Sequence, residues 1–202
     1  PRVLKDFVPN PDRVTLHQTE CDNDRAQAGL LDGSFDVILF VSDDVIPSLP
    51  FDTLIEASPY CLLPKGHPLA ARAAVPIAEI AKEPLVVLDR PVAGPYYQAL
   101  FEATHNPVSI AAYANSTEML RALVGAGFGC AVLNMRPHTA QTYAGDVVVA
   151  RPIDGDLRPL TLSIGYNRER PRELVHRFVA ACKGAFSAKD GQRYVVQANR
   201  IE

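Results

Sequence analysis

The chain of 202 residues predicts an α/β protein in two lobes, and three observations point there. Short apolar runs (FDVILFV, LVVLD, GCAVLN) alternate with stretches of helical spacing, the pattern of parallel sheets covered on both faces. With 48% hydrophobic and 21% charged residues, the composition is that of an ordinary globular protein able to bury a substantial core. Pro47, Pro50, Pro59, Pro64, Pro68 and Pro76 break regular structure within one stretch, so the chain leaves a first lobe there and must return later.

The elements follow in order. PRVLKDFVP reads as the middle of a helix with no charged-then-apolar leader, so the chain is expected to be clipped at its N-terminus. Val14, Leu16 and Gln18 alternate like a strand. CDNDRAQAGLLDG reads as a helix capped by Asp22 or Asn23 and stopped at Gly33, and FDVILFV as an apolar strand, completing a β-α-β unit. PYCLLP (59–64) is a further apolar run, PIAEIAKE (76–83) a short helix with Pro76 in its first turn, LVVLD (85–89) a buried strand and GPYYQALFEATH (94–105) a helix. SIAAYA, STEMLRALVGAG and GCAVLN continue as strand, helix and strand, and VVVAR and LTLSIGY are later strands. LTLSIGY is the candidate return to the first lobe, because it feeds RPRELVHRFVAACKGAF (170–186), whose apolar stripe runs through Leu174, Val175, Phe178, Val179 and Cys182. Residues 187–202 are polar except Tyr194, Val195 and Val196, and form either a tail or an added edge strand.

Several function classes drop out. A net charge of −3 provides no basic surface of the kind phosphate backbones select, so this chain is not expected to bind nucleic acid itself. No run of about 18 apolar residues is present to span a membrane. Cys21, Cys61, Cys130 and Cys182 lie far apart, with neither zinc-site spacing nor the density of a disulfide scaffold, and are expected to be free thiols in a reducing compartment. Cys21 precedes a helix start, but Glu20, Asp22 and Asp24 oppose the thiolate that the helix dipole favours, so it too is expected to be an ordinary thiol. G-x-S-x-G, HExxH and P-loop motifs are missing, and His17, His67, His105, His138 and His176 are scattered. Ser42, Asp43 and Asp44 read as a solvated loop. No catalytic residue, metal ligand or cofactor is predicted, and the chain is not expected to be an enzyme.

The stretch ANSTEMLRALVGAGFGCAVLN carries the sharpest question. A dinucleotide fingerprint needs its glycines between a strand and a helix start, whereas Gly125, Gly127 and Gly129 come after the helix, where they end it and admit the next strand closely. At the other end of that helix, Ser116 or Thr117 occupies the N-cap position after a strand, so its hydroxyl and the first free N–H groups face the carboxyl edge of the sheet. Either the hydroxyl is a plain cap, or it also meets an anion or polar ligand.

Four segments together resemble the effector-binding domain of the LysR-type transcriptional regulators over nearly all of residues 1–187: VTLHQTECDNDRAQAGLLDGSFDVIL, FDTLIEASPYCLLPKGHPLA, IAEIAKEPLVVLD and STEMLRALVGAGFGCAVLN. LDGSFDVIL resembles the family's L-x-x-G-x-x-D-x-x-I/L, and HPLA its recurrent turn. The resemblance implies a two-lobed, type II periplasmic-binding-protein-like fold with two crossover strands and a small effector bound between the lobes. It places residues 1–58 with 163–202 in lobe I and 59–162 in lobe II, with a winged helix-turn-helix DNA-binding domain upstream of this chain.

The resemblance also implies the site. One lip precedes Pro1; the second is the helix start at Ser116 and Thr117; a third wall is the turn at Arg90, Pro91, Val92, Ala93 and Gly94, leading to Pro95, Tyr96 and Tyr97. Ala93 and Gly94 stand where related sequences often carry a hydroxyl or basic residue, which argues against a strongly anionic effector gripped there. Asn134 and Arg136 would form the floor, Arg136 being either a carboxylate partner or half of a surface ion pair. Implied partners are a small-molecule effector, a carboxylate or an aromatic, and a second copy of the chain in a homodimer or tetramer, with RAQAGLL and ALVGAGF contributing. DNA would be reached only through the upstream domain, and the location would be cytoplasmic. A secreted solute-binding protein, or a redox sensor using two cysteines, are the rival readings.

Overall fold

The computed structural model describes residues 2–7, 15–102, 104, 107–168, 172–187 and 191–196. Contacts divide the chain into two compact units, one drawn from Pro1–Glu56 and Thr161–Gln192, the other from Ala57–Leu160 and Arg193–Glu202. The chain passes from the first unit to the second within strand β2 (Phe51–Ala57) and returns within β9 (Leu160–Tyr166). The sequence reading assigned all of 163–202 to the first lobe. Instead Val196 is buried in the core of the second unit, and the Tyr194 carbonyl accepts from the Arg136 N–H at 2.9 Å, so the described residues from Arg193 on belong there.

The first unit holds α1 (Arg2–Phe7), α2 (Asn23–Leu31), β1 (Val37–Val41) and α6 (Glu173–Ala185) around a sheet ordered β1-β9-β2. Asp22 caps α2 by accepting from the Arg25 N–H at 2.9 Å. Buried Gln27 then fixes α2 to the following loop, its Nε2 donating to the Asp44 carbonyl at 2.9 Å and its Oε1 accepting from the Ile46 N–H at 2.8 Å. Ala26 and Leu30 of α2 pack on Ile38 and Phe40, while Val175, Val179 and Cys182 of α6 pack with Ile164 and Leu54. Leu174, expected on that stripe, is instead 43% exposed.

The expected first strand is not seen. Val14 lies outside the described residues, Leu16 is 50% exposed, and residues 15–20 form no ladder; an alternating pattern becomes a strand only where a neighbour supplies hydrogen bonds and a core face. In place of a β-α-β unit, β1 pairs antiparallel with β9, from Val37 opposite Tyr166 to Val41 opposite Leu162.

The second unit contains β3 (Tyr60–Pro64), β4 (Val75–Pro76), α3 (Ile77–Ile80), β5 (Pro84–Leu88), α4 (Ala93–Glu102), β6 (Ser109–Ala114), α5 (Thr117–Gly125), β7 (Ala131–Leu133) and β8 (Val148–Asp154). The sheet ordered β4-β8-β3-β7 is continued by a parallel bridge between Cys130 and Leu85 into the β5-β6 pair. The expectation of wholly parallel sheets is corrected, because β3 runs antiparallel to both β7 and β8. Parallel pairing follows the helical crossovers: α4 carries β5 to its neighbour β6, and α5 carries the chain from β6 back past β5, where Cys130 ahead of β7 bridges Leu85. His67 of the HPLA turn is a cap, its Nδ1 accepting from the Leu69 N–H at 3.2 Å.

Gly129 admits β7 to the sheet. A Cβ there would lie 2.1 Å from the Pro84 carbonyl oxygen, to which Cys130 N–H donates at 2.9 Å. Gly129→Ala is therefore expected to destabilise the fold by about 2 kcal/mol or more, measured as a lower denaturant midpoint at unchanged slope.

In the first unit, Asp52 accepts from Tyr166 Oη at 2.9 Å, Arg168 Nη2 at 2.6 Å and Lys183 Nζ at 2.9 Å. Burial raises its pKa, but the Lys183 and Tyr166 hydrogen bonds and the charges of Lys183 and Arg168 outweigh that and hold the carboxyl below its ordinary value. A depressed folded-state pKa contributes stability that is present above the unfolded value, about 4, and lost as pH falls below it. Asp52→Asn should accordingly show a shallower loss of melting temperature than the parent between about pH 5 and pH 2.

Candidate functional site

The carboxyl ends of β5, β6 and β7 come together at one edge of the second unit, as their parallel pairing requires. Two helices of nine or more residues start there: α4 after β5 and α5 after β6. Such an edge is where ligands bind in open α/β sheets, with free helical N–H groups facing outward. The two turns are joined, since Asp89 N–H donates to the Ala114 carbonyl at 2.8 Å and Arg90 Nη1 to the Asn115 carbonyl at 3.4 Å.

Ser116 is the cap of α5, its Oγ accepting from the Met119 N–H at 3.2 Å while remaining exposed; Thr117 opens the helix, half-buried. The helix is anchored beneath by Leu120 and Val124, both fully buried, and by Arg121, only 2% exposed. Arg121 pairs with Glu118, and its Nη2 donates to the Thr139 carbonyl at 2.6 Å and the Gln141 carbonyl at 3.2 Å, fastening the loop after β7 to α5. Burying a guanidinium is costly without such partners. Across the edge, Pro91 is exposed and Val92, Ala93 and Gly94 are half-buried, with Gly94 N–H donating to the Arg90 carbonyl at 2.8 Å to open α4. The structure thus brings Pro91–Gly94 and Ser116–Thr117 to one edge.

The other two predicted residues are placed differently. Asn134 is buried beneath α4, where Nδ2 donates to the Ala57 carbonyl at 2.8 Å and to Tyr96 Oη at 3.1 Å, and Oδ1 accepts from Tyr97 Oη at 2.9 Å. Exposed Arg136 donates from Nε to the Arg193 carbonyl at 3.2 Å, a contact with the C-terminal segment that the sequence reading did not include.

The expected third wall also took in Arg90 and led on to Tyr96 and Tyr97, whereas Arg158 was missed. Tyr96 Oη donates to the Arg158 carbonyl at 2.6 Å, and the Arg158 guanidinium lies 5.0 Å from the centre of the Tyr96 ring. Burial pushes the Tyr97 hydroxyl well above the usual phenol range, so it stays a donor at neutral pH. No local pattern signals Arg158, which lies 62 residues from Tyr96. Together the edge offers N–H donors, two hydroxyls and the Arg90 cation, groups suited to holding a polar or anionic molecule.

Among the described residues, no group of three or more His, Cys, Asp or Glu is placed to hold a metal ion, and no helix is long and apolar enough to cross a membrane. Cys61, Cys130 and Cys182 are buried and Cys21 is half-buried, all four as free thiols. Donation of its S–H to the Cys130 sulfur, and then burial, push the Cys61 thiol far above its ordinary value; burial raises Cys182 to about 11. The closeness of Cys61 and Cys130 was not legible from their 69-residue separation in the sequence (130 − 61). Buried away from solvent and oxidant, both are expected to survive mild peroxide unmodified in the folded protein, as read by intact-mass and peptide mass spectrometry. A Cys61–Cys130 disulfide formed without unfolding would refute this.

The family model for the LysR substrate binding domain matches residues 1–187. HTH-type transcriptional regulator TtuA of Agrobacterium vitis is 29% identical over 137 residues, 66% of this chain and 45% of that protein. The chain therefore spans less than half the length of that relative. HinK, a LysR family transcriptional regulator from Pseudomonas aeruginosa, is similar in structure with a TM-score of 0.82 and 27% identity, covering 92% of this chain and 66% of that one. The C-terminal domain of a probable LysR family transcriptional regulator from Rhodococcus sp. RHA1 has a TM-score of 0.81 and 25% identity, with 90% of each chain covered.

Proposed function

Because the chain belongs to the LysR substrate binding domain family, and is thus a ligand-sensing regulatory domain with a type II periplasmic-binding-protein-like fold, we propose that it holds its effector at the edge where α4 and α5 begin. One observation carries this: Pro91–Gly94 and Ser116–Thr117, far apart in sequence, flank the same strand ends and are tied by Arg90 to Asn115. The chemistry of that edge favours a small molecule with an acceptor group, a carboxylate for instance, and an apolar body against Val92 and Pro91. Gly94 and Ala93 add no side-chain donor, so the helix N–H groups and the Ser116 and Thr117 hydroxyls carry the polar recognition.

Binding shifts the domain between conformations only by the ligand's differential affinity for them. The whole protein would pass this shift through a homodimer or tetramer to DNA, by a helix-turn-helix domain outside this chain. Leu31 on α2 and Phe128 after α5 are each about half exposed, apolar surface that supports contact with a second copy. A non-catalytic role in the cytoplasm goes with this proposal, and the family match favours it over a secreted solute-binding protein.

A thermal-shift screen of small carboxylates and aromatics should find a compound that raises the melting temperature in a concentration-dependent way. Titration calorimetry with that compound should then show the Ser116→Ala/Thr117→Ala protein binding roughly 1 to 3 kcal/mol more weakly. Unchanged affinity in a folded double variant would move the site elsewhere.

A further inference from the structure

We propose that Asn134 is a positioning residue, which together with the hydroxyls of Tyr96 and Tyr97 ties the start of α4 to both places where the chain passes between the two compact units. The hydrogen bonds have one consistent direction. The Ala57 carbonyl can only accept, so the Asn134 amide must turn Nδ2 toward it, at 2.8 Å. The second Nδ2 hydrogen goes to Tyr96 Oη at 3.1 Å, which leaves the Tyr96 proton for the Arg158 carbonyl at 2.6 Å. Oδ1 then faces Tyr97, whose hydroxyl donates to it at 2.9 Å. A flipped amide would set two carbonyl oxygens together at Ala57 and point the Tyr97 proton at an NH2 group, so only one orientation satisfies the set.

The ends of this set are what give it a role. Ala57 is the first residue of the second unit after the β2 passage, and Arg158 stands just before Leu160, the last residue before the β9 passage. Tyr96 and Tyr97 lie within about one helical turn of Ala93 and Gly94 at the ligand edge. All three side chains are buried, Asn134 at 5% exposure, Tyr96 at 4% and Tyr97 at 6%, so water does not replace a broken partner. A displacement of the first turn of α4 is therefore carried by the hydroxyls onto both carbonyls.

The purpose assigned to this link rests on the ligand-sensing reading of the edge, but its test uses no ligand. Gly94→Ala tightens the first turn of α4 at low steric cost, because the added Cβ would meet only the Leu88 carbonyl oxygen, at 3.9 Å. Hydrogen exchange by mass spectrometry is followed in peptides covering 52–60 and 155–163, with and without Tyr96→Phe/Tyr97→Phe, as a double-mutant cycle. In the parent, Gly94→Ala should slow exchange in both peptides by about two- to fivefold, the scale of such a substitution at a compatible position. In the Tyr96→Phe/Tyr97→Phe protein the response should vanish. Equal slowing in both backgrounds, or none in the parent, overturns the proposal. Should circular dichroism show the double variant unfolded, Tyr96→Phe alone takes its place. It removes the Arg158 bond and the Asn134–Tyr96 bond but keeps the Tyr97–Asn134–Ala57 link, so the response must be lost in 155–163 and kept in 52–60, and loss or retention in both peptides overturns the proposal. A ligand screen without hits bears on the edge as a binding site and leaves this cycle unaffected.

Discussion

The close approach of Gly129 to Pro84 is the contact on which the candidate site depends. Only a residue without a side chain allows the Pro84 carbonyl so near, and that nearness lets Cys130 exchange backbone hydrogen bonds with β5 on either side, to Pro84 and from Val86. With β7 seated beside β5 and β6 on its other flank, three strands point their carboxyl ends the same way. Because α4 follows directly on β5 and α5 on β6, both helices begin at that one edge. Convergence of N–H donors and hydroxyls follows from strand order, not from any binding motif.

Buried polar side chains provide the precision that apolar packing lacks. Leu120 and Val124 hold α5 against the sheet, but apolar contact is non-directional and tolerates small shifts. Arg121 sets where the loop after β7 lies, Gln27 sets where the loop after β1 lies, and Asn134 sets α4 against Ala57. Each of these side chains is itself buried, so without its partners it would leave polar atoms unpaired, at a cost of about 1 to 3 kcal/mol apiece. These residues are spread through the chain, and each joins segments distant in sequence.

Legibility differed from element to element for physical reasons. FDVILFV, LVVLD and the helix from Thr117 were readable because an unbroken apolar run, or one apolar helical stripe, leaves a local pattern, although in FDVILFV only Ile38 and Phe40 are buried and Leu39 is 47% exposed. Val14, Leu16 and Gln18 show the same kind of pattern, yet Leu16 is half exposed, since alternation records a preference and not a partner. The direction of pairing was unreadable for a similar reason: β3 is antiparallel to its neighbours because of where the chain enters and leaves the second unit, and no residue type encodes that. Val196 looked like part of a polar tail but sits in the second unit's core, because a short apolar run does not say which core it joins.

By itself, the sequence determined the α/β class, most helix and strand positions, the Ser116 cap, the duty of the glycines after α5 and the family resemblance. All of these rest on residues within one or two turns of each other or on segment order. Tertiary structure alone decided that Arg90 bonds the Asn115 carbonyl, that Asn134 turns inward to Tyr96 and Tyr97, that Arg136 meets the Arg193 carbonyl, and that the Cys61 and Cys130 thiols are neighbours. Those pairings join residues some 20 to 80 positions apart, as Asn134 to Ala57 shows with a separation of 77. Hydrogen-bonding capacity is written in each side chain, but the partner that satisfies it is chosen only when the sheet order brings the two together.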